Sequence, residues 1–347
     1  MKIHGVVIAR NEWPLLGLSI SHMLFYHADK VFVIDHSSTD DTKNGLAELQ
    51  KVWPDRIEVV RYEDTLFDQE ALTNVLLHMS NQEKPDWNII FDADEFLVSP
   101  TDKDIEDLLS GLGEKWNAVA MQLENYIVPL GFVDTRLDDY PLVDHYVTSV
   151  NHVVDRDVFH EQVKRNEKLL HEFRVPSKVI VKNNSRDFVD AGQHQLKYGD
   201  GKFWHLWDTT VAASNKEDWL ICHLPYTSLE RFKARKDVHQ RINNNFANKV
   251  FAKTIAPDED IVQMWDRLQM HPGDENPLLV RDSSFSKSFA PLTQKLAPYW
   301  GKILQPEHHD VVYKVSSEAI EFAVAVVNKY ISKCDELWAN QKGERSE

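Results

Sequence analysis

An apolar, β-prone run, Trp87-Asn88-Ile89-Ile90-Phe91, stops at Asp92-Ala93-Asp94-Glu95 and resumes as Phe96-Leu97-Val98. This stretch limits the folds open to the chain. A buried strand must end where three carboxylates occur in four positions, and carboxylates both resist desolvation and repel one another. The simplest stabiliser for such a cluster is a divalent cation. Asp92 and Asp94 share a face on a continuous strand and can also converge in a turn. Two hard oxygen donors suit Mg²⁺ or Mn²⁺, which keep water and leave positions for a phosphate. Taken alone, the same four residues also read as a solvated acidic turn capping a strand.

The flanking sequence has the rhythm of α/β units. Strands are expected at Ile3–Ala9, Val31–Asp35, Ile57–Tyr62, Trp87–Phe91 and Asn117–Val128. Helices are expected at Trp13–His27, from Thr39 or Asp40 as N-cap to about Val52, at Gln69–Met79, and at Asp104–Leu112. Pro14 is tolerable in a first helical turn. Four strands end in polar loops, at Ala9, Asp35, Tyr62 and Phe91. In an open α/β sheet, ligands bind at the carboxyl ends of strands, so these loops point toward one crevice. Further on, Lys178–Val181 reads as a strand, Val189–His194 as a turn and Trp219–Leu224 as a strand. Helices dominate after Ser228. The clearest is Val315–Trp338, with an apolar stripe of Ile320, Val324, Val327, Ile331, Cys334 and Trp338 that reads as a face packed on the body of the protein.

Composition narrows the function classes. With 39 basic against 55 acidic side chains the formal charge is −16, which argues against nucleic acid as a partner, because phosphates require a basic surface. Cys222 and Cys334 are the only cysteines and provide neither a disulfide framework nor zinc-site spacing, so a cytoplasmic setting is expected. No signal-peptide pattern opens the sequence. No apolar stretch reaches the ~20 residues of a membrane span, although peripheral membrane association through a partner is compatible with the chain.

Arg10-Asn11-Glu12 follows the first strand, Asp35-His36-Ser37-Ser38-Thr39-Asp40-Asp41-Thr42 the second, Gln69 the third, and Asp92-Ala93-Asp94-Glu95-Phe96 the fourth. This ordered set resembles glycosyltransferase family 2 enzymes of the GT-A fold, in the branch with an R-N-E … D-x-S-T-D-x-T … D-A-D-E-F pattern. The likeness covers roughly residues 3–130 and reaches loosely into 178–236. It implies a mostly parallel, Rossmann-like central sheet with flanking helices. A GT-A domain would cover 1–235, with a nucleotide-sugar half to about residue 130 and an acceptor half over 131–235. A helical extension, 236–347, would pack on it.

The resemblance also implies metal-dependent, inverting transfer of a sugar from a nucleotide-sugar donor, a UDP-sugar favoured, to a glycan or lipid-linked acceptor, as in polysaccharide biosynthesis. Donor contacts then map to Ala9, Arg10, Asn11, Asp35, Ser37, Gln69, Asp92, Ala93 and Lys178. Mn²⁺ or Mg²⁺ maps to Asp92 and Asp94, with His194 as a later ligand and His223 as its competitor. A cation already in place stabilises charge developing on a departing diphosphate; Arg10 or Lys178 can share that work.

The acceptor base is expected to be Asp or Glu. No Glu-Asp pair stands where the family places one, and Asp190, Glu124, Asp134, Asp138 and Asp139 are the candidates. That departure keeps a non-catalytic nucleotide-sugar-binding protein as an alternative. A sugar-1-phosphate nucleotidyltransferase is disfavoured, because Ala9-Arg10-Asn11-Glu12-Trp13 lacks the glycines of a triphosphate loop.

Overall fold

The computed structural model describes residues 1–63, 68–127, 145–148, 162, 165, 177–183, 187–190, 192–193, 196–198, 203–204, 211–225, 227, 279–307, 318–329 and 332. Along the chain these form β1 (Ile3–Ala9), α1 (Leu15–Tyr26), β2 (Lys30–His36), α2 (Thr42–Val52), β3 (Ile57–Tyr62), α3 (Gln69–Gln82), β4 (Trp87–Ile90), β5 (Glu95–Val98), α4 (Ile105–Ser110), β6 (Ala118–Met121), β7 (Leu123–Ile127) and β8 (His145–Thr148). Next come β9 (Lys178–Lys182), β10 (Asp187–Val189), β11 (Leu196–Tyr198), β12 (Phe203–Trp204), β13 (Val211–Ala213), β14 (Leu220–His223), β15 (Leu279–Asp282), α5 (Ser284–Leu296) and α6 (Trp300–Leu304). A last helix, α7, covers 318–329. No helix among the described residues is long and apolar enough to cross a membrane.

The chain divides into two units. The first comprises Met1–Gln122, Pro176–Leu220 and Lys295–Glu347; the second comprises Leu123–Val175 and Ile221–Gln294. Unit 1 is built on a seven-stranded sheet of order β13-β6-β9-β4-β1-β2-β3. The pairs β4–β1, β1–β2, β2–β3 and β13–β6 are parallel, while β9 runs antiparallel to both β4 and β6. The result is the mostly parallel sheet with flanking helices that the α/β alternation predicts. Strand order turns at β1, with β2 and β3 on one side and β4 on the other. Parallel strands covered on both faces are apolar throughout, and β1, β2 and β3 are buried along nearly their whole length.

Helices close both faces. Ten consecutive residues of α1, Leu15 to Leu24, are buried, as in a helix enclosed on every side. Trp13 lies where α1 and α2 meet. A Cβ at Gly17 would fall 2.7 Å from its indole and one at Gly45 only 2.0 Å, so both glycines exist to admit the ring. The Trp13 indole N–H donates to the Ile303 carbonyl at 2.6 Å, tying α6 into this layer. On α7, Ile320, Val324 and Val327 join the cluster formed by Val6, Phe32, Ile34 and α3 residues Leu72, Val75 and Leu76. The predicted stripe therefore faces the core over the described part; Ile331, Cys334 and Trp338 lie outside it. Asp68 caps α3 by accepting the Ala71 N–H at 3.0 Å, and its other oxygen accepts from Asn328 of α7 at 3.0 Å.

Two expectations are corrected. The run Asn117–Val128 is two strands, not one. It breaks at Gln122, with β6 in the large sheet and β7 in unit 2. The cap of α2 falls at Asp41, with the Asp40 carboxylate accepting the Thr42 N–H at 3.0 Å. The apolar run that resumes at Phe96-Leu97-Val98 forms β5, which begins at Glu95.

Unit 2 pairs β15 with β8 and β8 with β7 antiparallel, and β7 with β14 parallel. Buried Phe285 and Phe289 of α5 pack with their ring centroids 5.1 Å apart and their planes tilted by 54°. The Tyr126 hydroxyl donates to Asp282 at 2.8 Å, and burial, with Cys222 and Asp282 beside it, drives that phenol far above its usual range.

Candidate functional site

The carboxyl ends of β1, β2 and β4 meet in unit 1, where strand order turns. That reversal is where an open α/β sheet leaves a ligand crevice. Ala9 is the buried last residue of β1, and half-buried Arg10 follows it. Asn11 takes a left-handed backbone (φ 56°), as does Ser37 after β2 (φ 53°). Such conformations are costly for residues with a Cβ and persist where neighbours enforce them. Here the two loops enforce each other. The Asn11 N–H donates to Ser38 Oγ at 3.0 Å, and Asn11 Oδ1 accepts the Thr39 and Asp40 N–H groups at 2.7 and 3.3 Å. Ser37 Oγ donates to the Tyr62 carbonyl at 3.0 Å. Gln69 opens α3 half-buried.

Asp35 is 0% exposed. Its Oδ1 accepts the Ser38 N–H at 3.0 Å, and Oδ2 accepts from Arg61 Nη1 at 2.6 Å. Arg61 is its register partner on β3. Both carboxylate oxygens therefore serve to hold the loop after β2 in shape.

At the end of β4 the acidic cluster is a turn closed by its own residues. The Glu95 N–H donates to the Asp92 carbonyl at 3.1 Å, and the Asp92 N–H donates to Glu95 Oε2 at 3.0 Å. The Asp94 residue is 1% exposed and the Asp92 side chain 33%. A protein cation also stands against this cluster, the Lys178 ammonium. Register between β4 and β9 pairs Trp87 with Lys182 and Ile89 with Ile180. Two residues further, it sets Lys178 level with Phe91, next to Asp92. Lys178 is 3% exposed. Its ammonium donates to Asp92 Oδ2 at 2.8 Å and to Gln193 Oε1 at 2.8 Å, and lies 3.2 Å from Glu95 Oε1.

Burial alone would lower the Lys178 pKa. Asp92 and Glu95 more than offset it and raise the group above its ordinary range. Burial pushes Glu95 up to about 8, with Asp92 and Asp94 adding to the rise and Lys178 opposing it. The ammonium thus pairs chiefly with Asp92, the nearer carboxylate, and a proton stays with Glu95 near neutrality.

Gln193, 1% exposed and left-handed (φ 63°), was not singled out by sequence reasoning. Its N–H donates to the Asp190 carbonyl at 3.0 Å, its carbonyl accepts the Val179 N–H at 3.1 Å, and its amide reaches Thr73 on α3 at 3.4 Å. The turn signal at Gly192 was its only trace. Asn74 fixes the same segment, donating to the Val189 carbonyl and accepting the Val189 N–H, each at 2.8 Å. Half-buried Asp190 belongs to unit 1 with these residues, whereas Glu124 belongs to unit 2. His223, also in unit 2, bonds Asn125 Oδ1 through Nδ1 at 2.7 Å. His194, Asp134, Asp138 and Asp139 lie outside the described residues.

No group of three or more His, Cys, Asp or Glu among the described residues forms a ready cage for a metal ion. Partly exposed Asp92 beside Asp94 nonetheless fits the way Mg²⁺-type ions bind, through one or two carboxylates completed by substrate phosphates and water.

A family model, glycosyl transferase family 2, matches residues 6–157. No curated protein matches the chain. Among solved structures, S. aureus TarS residues 1–349 align over 100% of this chain and 92% of that one, at 11% identity and a TM-score of 0.37. The same fragment in complex with UDP-GlcNAc aligns over 97% and 89%, at 12% identity and a TM-score of 0.37. Glucosyl-3-phosphoglycerate synthase from Mycobacterium tuberculosis, in complex with Mn²⁺, UDP and phosphoglyceric acid, aligns over 71% and 80%, at 14% identity and a TM-score of 0.32.

Proposed function

We propose, from the match of residues 6–157 to the glycosyl transferase family 2 model, that the protein transfers a sugar from a nucleotide-sugar, a UDP-sugar favoured, to a glycan or lipid-linked acceptor with inversion at the sugar carbon. One observation carries this reading: the interlocked loops after β1 and β2 and the acidic turn after β4 meet at the carboxyl ends of adjoining strands. The loops around Arg10, Asn11 and Ser37 receive the nucleoside, and the preformed left-handed backbone at Asn11 and Ser37 lowers the ordering cost of binding. Asp35 acts on the nucleoside through the loop that it holds.

Asp92, Asp94 and His194 would hold Mn²⁺ or Mg²⁺. When bound, the ion stabilises the charge that collects on the departing diphosphate. Ala93, buried between the two aspartates, keeps the turn tight against the sheet. Arg10 adds positive charge at the mouth of β1. Asp190 is the first candidate for the base that takes the acceptor proton, because it lies on the segment that Gln193 and Asn74 fix to the donor side; Glu124 is the second.

The test is thermal unfolding of wild type and Asp94→Ala with UDP, GDP, CDP or dTDP, each with and without Mn²⁺. A ligand at about 100 times its dissociation constant adds about 2.7 kcal/mol to the folded state. The expected result is a rise in melting temperature for one diphosphate that needs Mn²⁺ and is lost in Asp94→Ala. No rise with any nucleotide rejects the donor site. Donor binding without hydrolysis or transfer to any acceptor would favour the non-catalytic binding protein.

A further inference from the structure

We propose that Lys178 is a positioning residue that governs uptake of the divalent cation: its buried ammonium holds Asp92 by one carboxylate oxygen and occupies the cation's electrostatic role until a nucleoside diphosphate arrives. The inference rests on the donor-site reading above and adds a residue whose part in it is indirect.

An ammonium has three N–H donors, and Lys178 has three oxygens around it: Asp92 Oδ2 at 2.8 Å, Gln193 Oε1 at 2.8 Å and Glu95 Oε1 at 3.2 Å. Each acceptor is itself anchored. Glu95 is pinned by the Asp92 N–H, and Gln193 is held by Thr73, by Asp190 and by the β9 backbone. Lys178 is 3% exposed on a strand paired on both edges. The side chain is therefore fully engaged without any ligand, which is not how a lysine waiting to grip a phosphate is placed.

Two consequences follow for a cation at Asp92. One carboxylate oxygen is already committed, so the aspartate offers a single donor in a fixed direction. A metal bound to that donor would also lie a few ångströms from a buried positive charge, and like charges at that range in a protein interior repel strongly. Metal alone should bind weakly. A diphosphate supplies the missing negative charge and further oxygen ligands, so metal and nucleotide strengthen each other, reciprocally and by the same factor. Lys178 thereby prevents the acidic turn from filling with a cation that has no substrate attached.

The experiment is Mn²⁺ binding to the full chain, read from the electron paramagnetic resonance signal of free Mn²⁺. It is run alone and with UDP, GDP, CDP and dTDP in turn, on wild type, Lys178→Gln and Gln193→Leu. Wild type should bind Mn²⁺ at least about tenfold more tightly with one of the diphosphates than without, and Lys178→Gln should bind Mn²⁺ alone about tenfold more tightly than wild type, shrinking that factor. Gln193→Leu keeps the charge while removing a neutral acceptor, and should stay within about twofold of wild type for Mn²⁺ alone. A purely structural lysine would give the opposite sign, since loosening the turn weakens metal binding. Folded Lys178→Gln that binds Mn²⁺ alone no more tightly than wild type overturns the proposal. Equal Mn²⁺ affinity with and without nucleotide in wild type overturns it even if the variant does not fold. Absence of any saturable Mn²⁺–nucleotide binding in wild type would instead reject the donor site, and the role of Lys178 with it.

Discussion

Removing the guanidinium of Arg61 strips the wholly buried Asp35 carboxylate of its cation, and breaking an ion pair from one side leaves the remaining charge to bear its own desolvation. Arg61 is partly exposed, so the expected cost of Arg61→Met is roughly 3 kcal/mol, at the lower end for such pairs. Urea unfolding of Arg61→Met, Asp35→Asn and the double variant checks it. The double variant should recover part of the loss, showing coupling between the two side chains. The pair also marks where sequence reading stopped. Asp35 stood out because it closes an apolar run and matches the acidic position of the family pattern that the sequence resembles. Arg61 was not, because only the β2–β3 register, a long-range property, makes it the partner of Asp35. The same holds for Lys178. Its place in the sequence suggested a free charge for a diphosphate, and only the antiparallel pairing of β9 with β4 reveals that Asp92 and Glu95 take it.

Among elements, Asn74 joins α3 to β10 through a two-way bond with the peptide groups of Val189. Asn74→Ala leaves a buried N–H and a buried carbonyl without partners, at an expected cost of roughly 2–3 kcal/mol. Amides of 187–193 should exchange faster in the variant, as hydrogen–deuterium exchange can show, while those of β1 and β2 should keep their protection. Strands and helices of the first hundred residues were legible because parallel strands read as short apolar runs and the intervening helices repeat at their own period. The break at Gln122 was not. No glycine or proline marks it, and β6 and β7 are equally β-prone, so only their separate sheets reveal that the chain changes unit there. The acidic composition of Asp92–Glu95 is plain in the sequence, but that the turn closes on itself is not, since side-chain-to-backbone bonds leave no periodic trace.

For the whole molecule, buried histidines dictate the response to acid. Burial, with His27 beside it, holds His22 well below its ordinary value. Burial holds His27 at about 4, although its ring donates to the Leu97 carbonyl at 2.7 Å and that bond opposes the shift. His4 is likewise held at about 4 by burial and by Lys2. Each is neutral in the folded state and takes a proton on unfolding below about pH 6.5. Their contribution to stability is therefore complete above that pH and is lost as pH falls from 6.5 toward 4. Melting temperature should be flat from pH 7 to 8 as far as these groups decide it and drop steeply between pH 6 and 4. His22→Phe should reduce the slope. A wild-type profile with no loss across that interval would contradict the buried, neutral assignment.

The interleaving of the two units along the chain bears on how the protein is made. Unit 1 needs Met1–Gln122, Pro176–Leu220 and the segment from Lys295 onward, and that last segment brings the Ile303 carbonyl to Trp13 and the α7 stripe to α3. On a ribosome adding about 5–20 residues per second, roughly 9 to 36 seconds separate the emergence of β6 from that of α6. Throughout that interval the part of the α3 cluster that Ile320, Val324 and Val327 cover, and the Trp13 indole N–H, lack their C-terminal partners. A ribosome stalled within residues 221–294 would therefore release a fragment that cannot complete unit 1.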